Sequence, residues 1–237
     1  MTMRSFLVIG LIAVGRTALA QVATPEERLF DAIDAGKEIV AEGVLLGGKV
    51  NPDTRNAQGE TPLHRAVEKG MKELAMALTR AGSKLGARSN TGETVLHIAA
   101  LHADPGLTEF LLLAGADPRA RNDDGESPLH WAALSGNAAV AALLLGKGAD
   151  PNLADIKGNR PLHAAADSGN IELVRLLIAR SSDPKAKNRE GLSAEDVANE
   201  RSRPDVAALL SKAVPVPPAG VSNFGTIDID KQTKERY

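Results

Sequence analysis

The sequence predicts an all-α fold: a solenoid of stacked helix-turn-helix units joined by β-hairpin-like loops. Three observations predict it. One tetrapeptide returns at a spacing of 33 residues, as Thr61-Pro62-Leu63-His64, Thr94-Val95-Leu96-His97, Ser127-Pro128-Leu129-His130 and Arg160-Pro161-Leu162-His163. One more step reaches Ser193-Ala194-Glu195-Asp196, where the motif decays but the register holds. A period of this length marks supersecondary units that bury their faces on one another, not on a closed core. Ahead of each copy stands a glycine (Gly59, Gly92, Gly125, Gly158 or Gly191), where a turn with positive φ costs little. Behind the copies lie leucine-rich stretches: Leu74 and Leu78, Leu111 to Leu113, Leu143 to Leu145, and Leu173, Leu176 and Leu177. These are expected to be second helices that pack between neighbours and leave a polar outer stripe.

Within a unit each element has a physical reason. Thr61, Thr94 and Ser127 are placed to cap the first helix through their hydroxyls. Pro62, Pro128 and Pro161 fall at the first helical position, where a missing N–H does no harm, and Val95 and Ala194 take that place elsewhere. Ala66, Ala99, Ala100, Ala132, Ala133 and Ala164 to Ala166 keep the first helix thin enough for close stacking. Gly70, Gly136 and Gly169 end it. Ala103 breaks that rule, and Asp104-Pro105-Gly106 is expected to reshape the turn between the helices there.

Motif, period and flanking glycines together resemble the ankyrin repeat, over residues 25–212. The resemblance implies four full repeats, at residues 56–88, 89–121, 122–154 and 155–187. It also implies a linker and degenerate N-terminal capping repeat at 21–55, where Leu29, Ala32 and Gly36 echo Leu63, Ala66 and Gly70 at a spacing of 34. Residues 188–212 read as a C-terminal capping repeat, with Glu195 and Asp196 replacing the Leu-His pair. Terminal repeats drift because one face must meet water.

The two ends lie outside the repeat. Residues 1–20 have the layout of a cleavable secretory signal peptide: Arg4 at the head, an apolar run from Phe6 to Gly15, and Ala18-Leu19-Ala20 before an expected mature start at Gln21. The run is about half of the roughly 20 apolar residues that span a bilayer, so cleavage is expected and stable membrane insertion is not. Without cysteine there is no lipoprotein anchor. The expected destination is the bacterial periplasm, with release from the cell as the alternative. Residues 213–237 read as a Pro-rich spacer and flexible tail, or as a segment that folds onto a partner or onto the solenoid.

Composition removes several functions. The 237 residues carry a net charge of −2, which leaves no basic footprint for nucleic acid. The lack of cysteine excludes disulfides, thiolate zinc sites and a cysteine nucleophile. No Gly-rich phosphate loop, HExxH helix or GxSxG elbow is present. His64, His97, His130 and His163 share one repeat position, so the fold accounts for them; the resemblance implies bonds within their own turn and to the adjoining loop. Units about 10 Å apart would hold these imidazoles too far from one another to share a zinc. His102 lies off the motif. Trp131 reads either as an apolar contact between first helices or as an exposed anchor. No enzyme, metal or cofactor is expected, and a monomer is. A zinc- or carboxylate-dependent envelope hydrolase is the enzymatic alternative, and a secreted effector acting on a host protein the other.

The resemblance also implies where a protein partner would sit: on a concave face built from the hairpin tips and the exposed side of the first helices. Carried over residue by residue, the tips place Glu60, Glu93, Asp123, Asp124 and Glu126 in an acidic ridge, followed by Lys157. Leu101, His102 and Leu134 lie behind it on the first helices. An apolar pair within an acidic rim suits a partner with a basic patch around an apolar knob.

Overall fold

A computed structural model describes residues 23–101, 104–180 and 182–214. The proposed leader, His102 and the tail from residue 215 therefore lie outside the described residues. Twelve helices form six pairs among them: α1 (Pro25–Asp34) with α2 (Glu38–Leu46), α3 (Pro62–Glu68) with α4 (Lys72–Arg80), α5 (Val95–Leu101) with α6 (Pro105–Leu113), α7 (Pro128–Leu134) with α8 (Ala138–Gly146), α9 (Pro161–Ser168) with α10 (Ile171–Ala179), and α11 (Ala194–Glu200) with α12 (Pro204–Ser211). The first helices stack in chain order from α1 to α11, and second helices pack alongside, α2 on α4 and α6 through α8 and α10 to α12. None of these helices is long and apolar enough to cross a membrane.

The core runs along the stack between the two helix layers. Leu63, Leu96, Leu129 and Leu162, one per motif, are buried, and so are Leu74, Leu78, Leu111, Leu144, Leu173 and Leu177 from the second helices. These leucines belong to one continuous core cluster that runs through all six pairs, as expected of units that bury their faces on one another. Ala66, Ala99, Ala132 and Ala165, also buried, allow the first helices to approach.

Thr61 and Ser127 stand at the N-cap in a capping box, the side chain facing the backbone of the third helical residue and that residue, the motif histidine, reaching back to the cap. In all three motifs the hydroxyl also lies 2.8–2.9 Å from the histidine Nδ1, which accepts the backbone N–H of Thr61, Thr94 or Ser127. Two expectations need correction. The polar outer stripe is interrupted in the middle of the array. α8 carries no charged side chain, and Leu113 of α6 stands 69% exposed. At the N-terminal end, Ile39 and Leu46 of α2 are 85% and 81% exposed, unlike the polar face expected of an end unit.

Candidate protein-binding surface

The hairpins that join the units present the tips. Each opens on a side chain whose oxygen gathers the backbone of the turn: Asn56 Oδ1 accepts from the N–H of Gln58 and Glu60, Asp155 Oδ1 from Lys157 and Asn159, and Asn188 Oδ1 from Glu190 and Leu192. Ser89 and Asn122 do the same work at the intervening positions. Successive tips are then tied by one backbone bond per junction: Asn90 N–H to Gln58 O, Asp123 to Thr91, Ile156 to Asp124 and Arg189 to Lys157, all at 2.9–3.0 Å. This close approach needs the turn glycine. A Cβ on Gly59 or Gly158, both with positive φ, would sit 2.9 Å from the backbone nitrogen of the next hairpin.

Below the tips, an arginine series crosses the first three junctions. Arg55 donates to the carbonyl of Arg88, Arg88 to that of Arg121, and Arg121 to that of Ala154. The motif histidines cross it again from inside. Nε2 of His64, His97, His130 and His163 lies 3.1–3.2 Å from the carbonyl oxygen of Glu93, Glu126, Asn159 and Leu192, each in the next unit. All four rings are buried, and burial pushes each below the ordinary histidine range, His97 to about 4. They are neutral fastenings rather than ligands. Among the described residues no group of three or more His, Asp or Glu side chains could hold a metal ion.

The structure divides the acidic ridge in two. Glu60, Glu93 and Glu126 follow the turn glycine in three successive units and are half-buried. Each carboxylate bonds back four residues, to Asn56, Ser89 and Asn122. Glu126 also accepts the Trp131 indole N–H at 2.9 Å. Asp123 is exposed and pairs with Arg88, the last residue of the 56–88 repeat, at 2.7 Å. Asp124 is exposed and makes no side-chain bond among the described residues. Lys157 is exposed at the next tip.

Leu101 and Leu134 occupy the same position on the adjoining helices α5 and α7 and are 45% and 54% exposed. Ile156, at the tip between them and the C-terminal units, is 46% exposed. Trp131 is half-buried and makes the contact between first helices. Its ring meets His97 of the previous unit edge-on, with centroids 5.7 Å apart, and it lines a concavity of about 400 Å³ bounded by α7, α9, α11 and the last tips.

Paired helices, hairpin tips stacked by single backbone bonds, and a histidine bridge every 33 residues are now joined by a sequence match. The family model for ankyrin repeats (three copies) matches residues 29–122 and again residues 96–188, more than half of the chain. The chain belongs to the ankyrin-repeat family. No curated protein matches it. Ankyrin repeats are protein-binding modules, typically without catalysis, and in this ankyrin array Leu101, Leu134, Asp123, Asp124, Ile156 and Lys157 are exposed members of the surface described above. Sequence reasoning missed the arginine series and the hairpin-opening residues. Both repeat at 33, at Arg55, Arg88 and Arg121 and at Asn56, Ser89, Asn122, Asp155 and Asn188, so the period that located the helices could have found them.

Proposed function

We propose that this chain is an exported, non-catalytic binding module that engages one protein partner through the face formed by its hairpin tips and first helices. The observation that carries the reading is the pair Leu101 and Leu134, large apolar side chains exposed in register on adjoining helices beside exposed acids. Apolar surface with a charged rim is the composition of a small specific interface, in which the centre supplies affinity and the rim steers encounter. Within that class, the leader at residues 1–20 supports a role in the bacterial periplasm, as an inhibitor or immunity protein against a toxic envelope enzyme or as a protector of another envelope protein.

The test is a cross-linked capture with the full chain, expressed from its own leader and recovered from the envelope fraction. One dominant protein is expected in wild type and is lost in the Leu101→Ala, Leu134→Ala double variant. Capture that survives this variant and also Asp123→Lys with Asp124→Lys refutes the placement. Cleavage after Ala20 with recovery from the periplasm supports the compartment. Recovery from the medium supports release from the cell, and retention of the uncleaved chain in the cytoplasm refutes export.

A further inference from the structure

The concavity between α7, α9, α11 and the last hairpin tips has a chemical character of its own. Part of its lining is apolar, with Trp131, Leu134, Ile156, Ala164, Leu192 and Val197. Beside these stand six carboxylates and two cations, Lys157 and Arg201, a formal excess of four negative charges. Three of the six carboxylates are already engaged. Glu126 holds the Trp131 indole and Asn122, Asp155 closes its own turn, and Asp167 pairs with Arg201 at 2.9 Å. The other three, Asp124, Glu190 and Glu200, are exposed and have no ionic or hydrogen-bonding partner for their carboxylates among the described residues.

We propose that this concavity receives an arginine or lysine side chain presented on an exposed basic loop of the partner protein. This rests on the protein-binding reading above and adds the partner's chemistry. The aliphatic stem of such a side chain lies against the apolar side chains while its charged head meets the carboxylates, the division of labour that amphipathic cationic residues favour. The Trp131 ring adds attraction for the cation. A small hydrated metal ion gains nothing from the apolar side chains, and an acidic peptide or nucleic acid meets like charge. The volume of about 400 Å³ suits one or two side chains rather than a folded element. The basic anchor of the partner therefore docks towards the C-terminal end of the face, with Leu134 shared between this concavity and the apolar pair.

Trp131 is the only tryptophan in the chain, so intrinsic fluorescence reports on this concavity. The experiment titrates the full chain, at low salt, with a cyclic peptide presenting Leu-Arg-Leu-Arg in a tight turn, and separately with its Leu-Glu-Leu-Glu counterpart. A saturable change in Trp131 emission is expected with the arginine peptide and none with the glutamate peptide. Glu190→Gln with Glu200→Gln should weaken binding by about tenfold or more while leaving the melting temperature unchanged, because both carboxylates are exposed and unpaired. No response, an equal response to both peptides, or unchanged affinity in that variant overturns the proposal. If Lys231→Gln, Lys234→Gln and Arg236→Gln together tighten peptide binding, the chain's own basic segment occupies the site, and the external partner is refuted. The two readings fail separately. A captured partner lost in Leu101→Ala, Leu134→Ala but retained by Glu190→Gln, Glu200→Gln leaves the binding surface standing and removes this inference.

Discussion

Three residues into the first helix of each internal unit, a histidine bonds in two directions; at the C-terminal end an aspartate bonds in one. His97 Nδ1 accepts the backbone N–H of Thr94 at 3.1 Å, so the ring proton resides on Nε2, which donates to Glu126 O in the next unit at 3.1 Å. Asp196 repeats only the local half. Its Oδ2 accepts the N–H and the hydroxyl of Ser193 at 2.8 and 2.7 Å, and its own N–H returns a bond to Ser193 Oγ. Beyond α12 the described chain offers no further hairpin for an outward donor to serve. Gly191 shows the same ending, since a Cβ there meets nothing within 4 Å. Internal junctions are thus held by buried neutral groups with two partners, whereas the end is closed by an exposed charge with one.

The largest consequence concerns pH. The four histidines have folded pKa values below their ordinary one, through burial. Unfolded, they take up protons near pH 6.5; folded, His97 resists to about 4. Between those values the unfolded chain binds more protons, so stability is full above about pH 6.5 and falls as pH drops towards 4. The shift of His97 alone corresponds to a loss of about 3 kcal/mol, and the other three rings act in the same direction. Chemical denaturation from pH 7.5 to 4.5 checks it, and a flat profile would break the comparison. Asp196 has a pKa lowered by its bonds to Ser193, so its contribution holds through this window and is lost only at lower pH.

Next in size is His97→Asp. The carboxylate could satisfy Thr94, but it buries a charge and leaves Glu126 O without a donor, a cost of about 4 kcal/mol. Urea midpoints measure it. A penalty below 1 kcal/mol would mean that the inter-unit bond contributes little. Gly158→Ala and Gly191→Ala form the third test. Both positions have positive φ, +79° and +83°, and each substitution costs about 1 kcal/mol for that reason. Only at Gly158 does the new Cβ also meet Arg189 N at 2.9 Å, which adds about 1–2 kcal/mol. Equal melting temperatures would show that the hairpins separate freely.

These contrasts also explain what was legible beforehand. Helix positions, proline starts and buried leucines follow from local rules repeated five times, so one motif predicts the fold. The acidic ridge was legible only in part because charge alone does not say which way a carboxylate faces. Glu60, Glu93 and Glu126 recur with the period, as the histidines do, and the fold uses them likewise, for hydrogen bonds within the hairpin. Of the acids left without a partner, Asp124 and Glu190 share one tip position two periods apart, with Lys157 between them, whereas Glu200 stands on α11. That a helix residue joins the two tips beside Trp131 is a property of the stacking, and the sequence does not show it.

The smallest expected effect is the reverse swap, Asp196→His. The new imidazole can accept from Ser193 through Nδ1, as His130 does from Ser127, and its Nε2–H would point to water instead of a carbonyl. The local bonds survive, and the favourable charge near the start of α11 is lost, a difference of about 0.5 kcal/mol. Asp196 is exposed, so no cavity or buried charge enters. The urea midpoint should move little at pH 7, and the protein should lose more stability than wild type only if the new ring becomes buried. If instead Asp196→His destabilises as strongly as His97→Asp, the two positions are not the local and bridging versions of one device. The end of the array would then depend on the carboxylate for some further contact.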